Sequence, residues 1–165
     1  MEAKTITIVP VTENGSVFFK GLGTTFKVLS QSLHGSAAVV EHTLEPKCLG
    51  APMHRHSHED EISYVLEGKL SVIQNGQVKT AGPGEYIAKP RNIFHTFWNA
   101  GDERVRFIEM IIPGNFQNYF AEIAPFFPPG QQPMFDKLAE TREKYGLEFD
   151  MEAAGEIVEK YGLRT

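Results

Sequence analysis

The stretch Gly50-Ala-Pro-Met-His-Arg-His-Ser-His-Glu-Asp-Glu-Ile-Ser-Tyr-Val-Leu-Glu-Gly68 decides how the rest of the chain is read. Three of the six histidines, His54, His56 and His58, fall within five residues and are followed at once by Glu59, Asp60 and Glu61. In an extended segment alternate side chains share a face, so His54 and His56 point the same way and can reach one ion together. A carboxylate then has to join them from a short way on. Glu61 follows His56 after four intervening residues, and Gly68 follows Glu61 after six.

That spacing resembles the first motif of the cupin superfamily. The second motif is expected downstream as Gly, five residues, Pro-x-Gly, two residues, His, three residues, Asn, and Gly84, Pro90, His95 and Asn99 stand in those places. Two positions depart from the pattern. Asn92 replaces the second glycine, and Cys48 stands where the first motif has its leading glycine. Asn tolerates a positive φ best after Gly, so the departures bear on turn geometry and not on the ligands. The resemblance implies His54, His56, Glu61 and His95 as ligands of one divalent transition metal per chain. Three imidazoles and a carboxylate suit Fe, Mn, Co, Ni, Cu or Zn and are too nitrogen-rich for Mg or Ca. His58 fits the spacing less well and is read as a loop residue. Glu59 and Asp60 are expected at the solvent side or as partners for a ligand N–H, with Arg55 paired to one of them.

With 165 residues, 41% hydrophobic and 22% charged, the chain fits one globular domain with a single core. A formal net charge of −5 without a basic stripe argues against a nucleic-acid partner. No apolar run reaches bilayer length, and the first eleven residues lack signal-peptide features, so a cytoplasmic protein is expected. Cys48 is the only cysteine, which precludes an intrachain disulfide and is read as a small buried apolar side chain.

Fifteen glycines and ten prolines punctuate short β-rich runs. Strands are expected at 5–9, 17–20, 24–29, 37–44, 62–66, 70–74, 77–81, 86–88, 95–99 and 105–112, with Asn75-Gly76 as a two-residue hairpin turn. The class is all-β, and the resemblance implies a double-stranded β-helix jelly-roll barrel over residues 1–115. Residues 116–165 change to a helical period. Helices are expected at 116–123 and 134–145, and a third after an Asp150 N-cap. The words Glu-Lys-Tyr-Gly-Leu occur twice, putting Gly146 and Gly162 at left-handed helix ends. Too small to fold alone, this tail must pack on the barrel or a partner subunit, either as a structural cover or with 116–127 as a lid.

Alternation from the ligands places Ser63 beside Glu61 and Phe97 beside His95, and Met53, Phe97 and Phe107 are read as holding a substrate ring. Glu109, an acid in an apolar strand, is read as an outer-surface residue or a buried general base. The resemblance also implies that Glu61 can act as both ligand and base. His42 lacks a partner at useful spacing and is a weaker ligand candidate. The resemblance to small quercetinase-like cupins implies a metal-dependent dioxygenase acting on a small aromatic or enol-type molecule, working as a homodimer. The alternatives are a redox-neutral isomerase, decarboxylase or lyase, and a non-catalytic small-molecule-binding protein.

Overall fold

The computed structural model describes residues 8–10 and 14–165. Along the chain run β1 (Ser16–Phe19), β2 (Leu22–Val28), β3 (Ala38–Leu44), β4 (Cys48–Leu49), β5 (Met53–His56), β6 (Asp60–Glu67), β7 (Leu70–Gln74), β8 (Gln77–Ala81), β9 (Tyr86–Lys89), β10 (His95–Asn99) and β11 (Val105–Ile112). Then follow α1 (Gln117–Ile123), α2 (Phe135–Lys144), β12 (Leu147–Asp150) and α3 (Met151–Tyr161). One antiparallel sheet has the order β1-β2-β3-β11-β6-β9, and the other β12-β5-β10-β7-β8, with β4 also paired to β10. The two faces of a jelly-roll barrel are thereby formed.

Local chemistry explains the corners. Asn75 and Gly76 both have positive φ, 50° and 70°, as the two-residue turn between β7 and β8 requires. Asn92 takes φ 62°, the conformation its glycine-like place demands. Cys48 is not a turn residue. It begins β4, is buried, and its Sγ–H donates to the Lys20 carbonyl at 3.1 Å.

Alternation sends Ala38, Val40, His42 and Leu44 of β3, and Val105, Phe107, Glu109 and Ile111 of β11, to the inside. These meet Leu70 and Phe97 from the other sheet, and Phe116, Tyr119, Phe120 and Ile123 close the same core from beyond β11. A second apolar cluster lies on the far face of β10 and β5, where Leu49, Met53 and Trp98 pack against Ala154, Ile157 and Leu163. Every residue of β10 is therefore buried, with His95 and Phe97 toward the cavity and Trp98 under Tyr161 of α3. The tail packs on the barrel of its own chain.

The strand expected at 5–9 has residues 5–7 outside the described residues, and residues 8–10 are in no strand. Asp150 caps α3 as expected, its Oδ1 accepting the Ala153 N–H at 3.0 Å. Gly146 and Gly162 have φ 64° and 60°. The tail is not purely helical, however. Leu147 begins β12, which pairs with β5 in the register Leu147↔His56 and Phe149↔His54. Arg55 pairs with Glu148 of this strand at 2.6 Å, and not with Glu59 or Asp60. Asp60 is instead held by Arg91. No described helix is long and apolar enough to cross a membrane.

Candidate metal centre

Four groups from both sheets converge. His54 and His56 stand on β5, His95 lies opposite His54 on the adjacent β10, and Glu61 projects from β6 across the barrel. Their potential ligand atoms all lie within 4.8 Å of one another, and all four residues are buried. The same local device orients two of the rings. His54 Nδ1 donates to the Pro52 carbonyl at 2.7 Å and His95 Nδ1 to the Ile93 carbonyl at 3.0 Å, which leaves the Nε2 lone pairs for the centre. His56 differs: its Nδ1 faces the buried Glu59 carboxylate at 3.5 Å, just beyond hydrogen-bond length.

His56 Nε2 and His95 Nε2 are buried without a hydrogen-bond partner, and both point at Glu61 Oε2, at 3.5 and 3.6 Å. Orphaned imidazole nitrogens beside a carboxylate are what a cation would satisfy. Burial, with the neighbouring rings of His95 and His56, holds His54 well below the usual histidine range. Burial also lowers His95, against the opposing pull of Glu61. Neutral rings are the ligating form. The residues fit a divalent transition metal.

Behind Glu61 lies a charged group that the motif spacing does not reveal. Lys89, paired with Glu61 across β6 and β9, is 2% exposed and contacts Glu61 Oε2 at 3.0 Å and Glu109 Oε2 at 2.7 Å. Ser63, opposite Glu109 in the β6–β11 register, donates to the same Oε2 at 2.9 Å. Burial would raise Glu61, but the Lys89 ammonium overrides it, aided by His56 and His95, and the carboxyl lies well below its usual range. Glu109 goes the other way. Burial outweighs Lys89, Glu61 adds repulsion, and the group is pushed up to about 7. Its Oε1 has no partner. Lys89 itself is raised, because Glu109 and Glu61 overcome the effect of burial.

The centre opens into a cavity of about 770 Å³. Phe97, Phe116, Tyr119, Phe120 and Phe127 give it an aromatic wall, and Phe116 packs edge-on to the His56 ring at 4.5 Å. Of the residues read as a substrate pocket, Phe97 and Glu109 line this cavity. Ser63 sits behind Glu109, and Phe107 behind Phe97 and His42, at ring distances of 5.5 and 5.0 Å. Met53 is a correction. As the neighbour of His54 on a strand it must point to the opposite face, and it packs under α3 with Trp98. His58 is exposed, beside Gly146, where an added Cβ would lie 2.9 Å from its ring. His42 stands outside the converging four but lines the cavity.

Residues 40–111 match the family model described as Cupin domain. Quercetin 2,3-dioxygenase of Bacillus subtilis (strain 168) is 26% identical over 100 residues, which are 57% of this chain; the match spans only 29% of that relative. KdgF from Halomonas sp. superposes with a TM-score of 0.60 at 18% identity, covering 69% of this chain and 99% of that one. The polyketide cyclase RemF from Streptomyces resistomycificus does so with 0.58 at 24%, covering 66% and 80%. Both structural likenesses speak for the fold. The central strands, residues 40–111, thus match the Cupin domain model, and the two sheets around them form the jelly-roll barrel that this resemblance implies.

Proposed function

We propose that this protein is a metal-dependent dioxygenase acting on a small aromatic or enol-type molecule. The observation that carries the reading is the aromatic-walled cavity of about 770 Å³ lined by His54, His56 and Glu61, three members of the cluster that His95 completes. The 26% identical relative, named a quercetin dioxygenase, supports it over the matched 100 residues. A transition-metal ion held by these four residues supplies Lewis acidity and, where redox-active, a path for electrons between substrate and dioxygen. Phe97, Phe116 and Phe120 hold the ring and exclude water. Lys89 keeps Glu61 ionised and positioned. Glu61, expected to double as base, is held well below the usual carboxylate range by Lys89, whereas Glu109 is pushed up to about 7 and keeps Oε1 without a partner, so Glu109 is the better group to take the substrate's acidic proton. Taking the proton neutralises Glu109, so the positive charge of Lys89 is uncancelled at the moment the enolate or phenolate forms and adds to that of a divalent ion beside Glu61.

The Lys89–Glu109 pair also supports a second reading, a redox-neutral isomerase, decarboxylase or lyase, because a buried acid beside an ammonium can move a proton without any oxidant. The test is elemental analysis of the protein purified without added metal, then oxygen-electrode assays against flavonols, enediols and β-diketones. Near-stoichiometric redox-active metal with oxygen uptake is expected. Stoichiometric metal with no uptake on any of these would move the assignment to the redox-neutral class or to a binding role.

The protein is further proposed to act as a cytoplasmic homodimer. Its lone cysteine, Cys48, is a buried free thiol, and Phe18 on the edge strand β1 is 63% exposed. A monomeric mass by analytical ultracentrifugation would overturn the dimer.

A further inference from the structure

The inward row of β3 is Ala38, Val40, His42 and Leu44, and its three aliphatic members have no exposed surface. A histidine in such a row carries two polar atoms into the barrel, and burying either without a partner is costly. Only one is provided for. His42 Nδ1 lies 3.0 Å from Thr24 Oγ1 and 3.4 Å from the Gly23 carbonyl, both on the neighbouring β2. A carbonyl only accepts, so the arrangement that satisfies both neighbours puts the hydrogen on Nδ1. Nε2 then keeps its lone pair, and among the described residues it has no hydrogen-bond partner. The device is the one seen at His54 and His95, where Nδ1 is tied to a carbonyl and Nε2 is left for something that is not protein.

At His54 and His95 that something is the ion; at His42 it cannot be the same ion, since His42 is not among the converging four. In the sheet register His42 faces Phe107, one inward row from Glu109 and two from Glu61. Its ring is pinned between Phe107 at 5.0 Å and Phe120 at 5.1 Å, and it lines the cavity. We infer that His42 is a specificity-determining anchor, whose Nε2 accepts a hydrogen bond from a hydroxyl of the substrate while another oxygen of the same molecule faces the metal centre. Burial, with Lys89 nearby, lowers the imidazole to about 4, which keeps the ring an acceptor. The inference rests on the cavity being the substrate site and deepens that reading, narrowing the substrate to aromatic or enol-type molecules with a second hydroxyl.

The experiment uses the zinc-loaded protein, with phenol as probe and toluene as its counterpart lacking the hydroxyl. Wild type is expected to bind phenol about tenfold more tightly than toluene, a factor equal to about 1.4 kcal/mol. Phenol, and not toluene, should shift the 15N resonance of His42 Nε2, which a purely structural ring would not show. His42→Phe should keep its zinc and its toluene affinity but lose the preference, and His42→Gln, which retains an acceptor, should keep part of it. Equal binding of the two probes by wild type, a preference that survives in His42→Phe, or an Nε2 carrying the hydrogen would each overturn the anchor. A phenol preference that depends on His42 in a protein that consumes no oxygen with any flavonol would instead uphold the anchor and sink the dioxygenase reading.

Discussion

The two sheets face one cavity with different chemistry. From the β12-β5-β10-β7-β8 sheet come His54, His56 and His95, all buried and close enough to share an ion. From the β1-β2-β3-β11-β6-β9 sheet come Glu61, Lys89 and Glu109, on three adjacent strands, with the lysine bridging the two carboxylates. The contrast teaches how the work is divided. One wall supplies three imidazole ligands, and the other supplies the fourth, Glu61, together with the charges that tune how tightly an ion is held.

Substitutions on the two walls should therefore behave differently. The largest effect is expected on the imidazole wall: His54→Ala or His95→Ala should lose most of the bound metal by elemental analysis, while His58→Ala, altering an exposed ring, retains it. Equal loss in all three would break the comparison. Next comes Lys89→Met on the charged wall, which strands Glu61 and Glu109 and should destabilise the metal-free protein by roughly 3–5 kcal/mol in urea unfolding. The same change removes a positive charge from beside Glu61, so metal affinity should rise. A fall in both would show the walls to be one unit. Outside the barrel, Ile157→Ala beneath α3 should cost about 2–4 kcal/mol while the folded protein keeps its metal content.

A smaller effect separates His56 from the other two rings. Its Nδ1 faces a carboxylate and not a carbonyl. Glu59→Ala is expected to weaken metal binding by roughly tenfold, the low end for loss of an outer partner, because the 3.5 Å contact is long. Glu59→Gln should recover part of it. Least of all, Arg55→Ala removes a solvent-facing pair with Glu148 and should change stability by no more than about 1 kcal/mol.

What could be read in advance follows the range of each interaction. His54, His56 and Glu61 sit within eight positions, and one turn motif carries His95, so local spacing sufficed for the ligand cluster. The hairpin at Asn75-Gly76 and the N-cap at Asp150 are likewise local chemistry. Lys89 and His42 acquire their meaning only from pairing across strands, with Glu61 and Thr24 respectively, and nothing beside them in sequence declares it. Met53 was a different failure: period-two alternation from His54 points it outward, and its apolar character alone suggested a pocket. The apolar-polar alternation Leu147-Glu148-Phe149-Asp150 was a legible signal for β12, masked by the helical patterns on either side.

The pairing of β12 with β5 also bears on the order in which the protein can be assembled. The contact between Ser57 and Gly146, at the margin of this pairing, joins residues 89 positions apart. Closing so long a loop costs chain entropy before any contact repays it, and such long-range pairings tend to form late. The strand that carries two of the four ligands is thus framed by contacts between residues far apart in the chain. Ion capture in a refolding experiment should coincide with the slow consolidation of the whole molecule, and should not precede it.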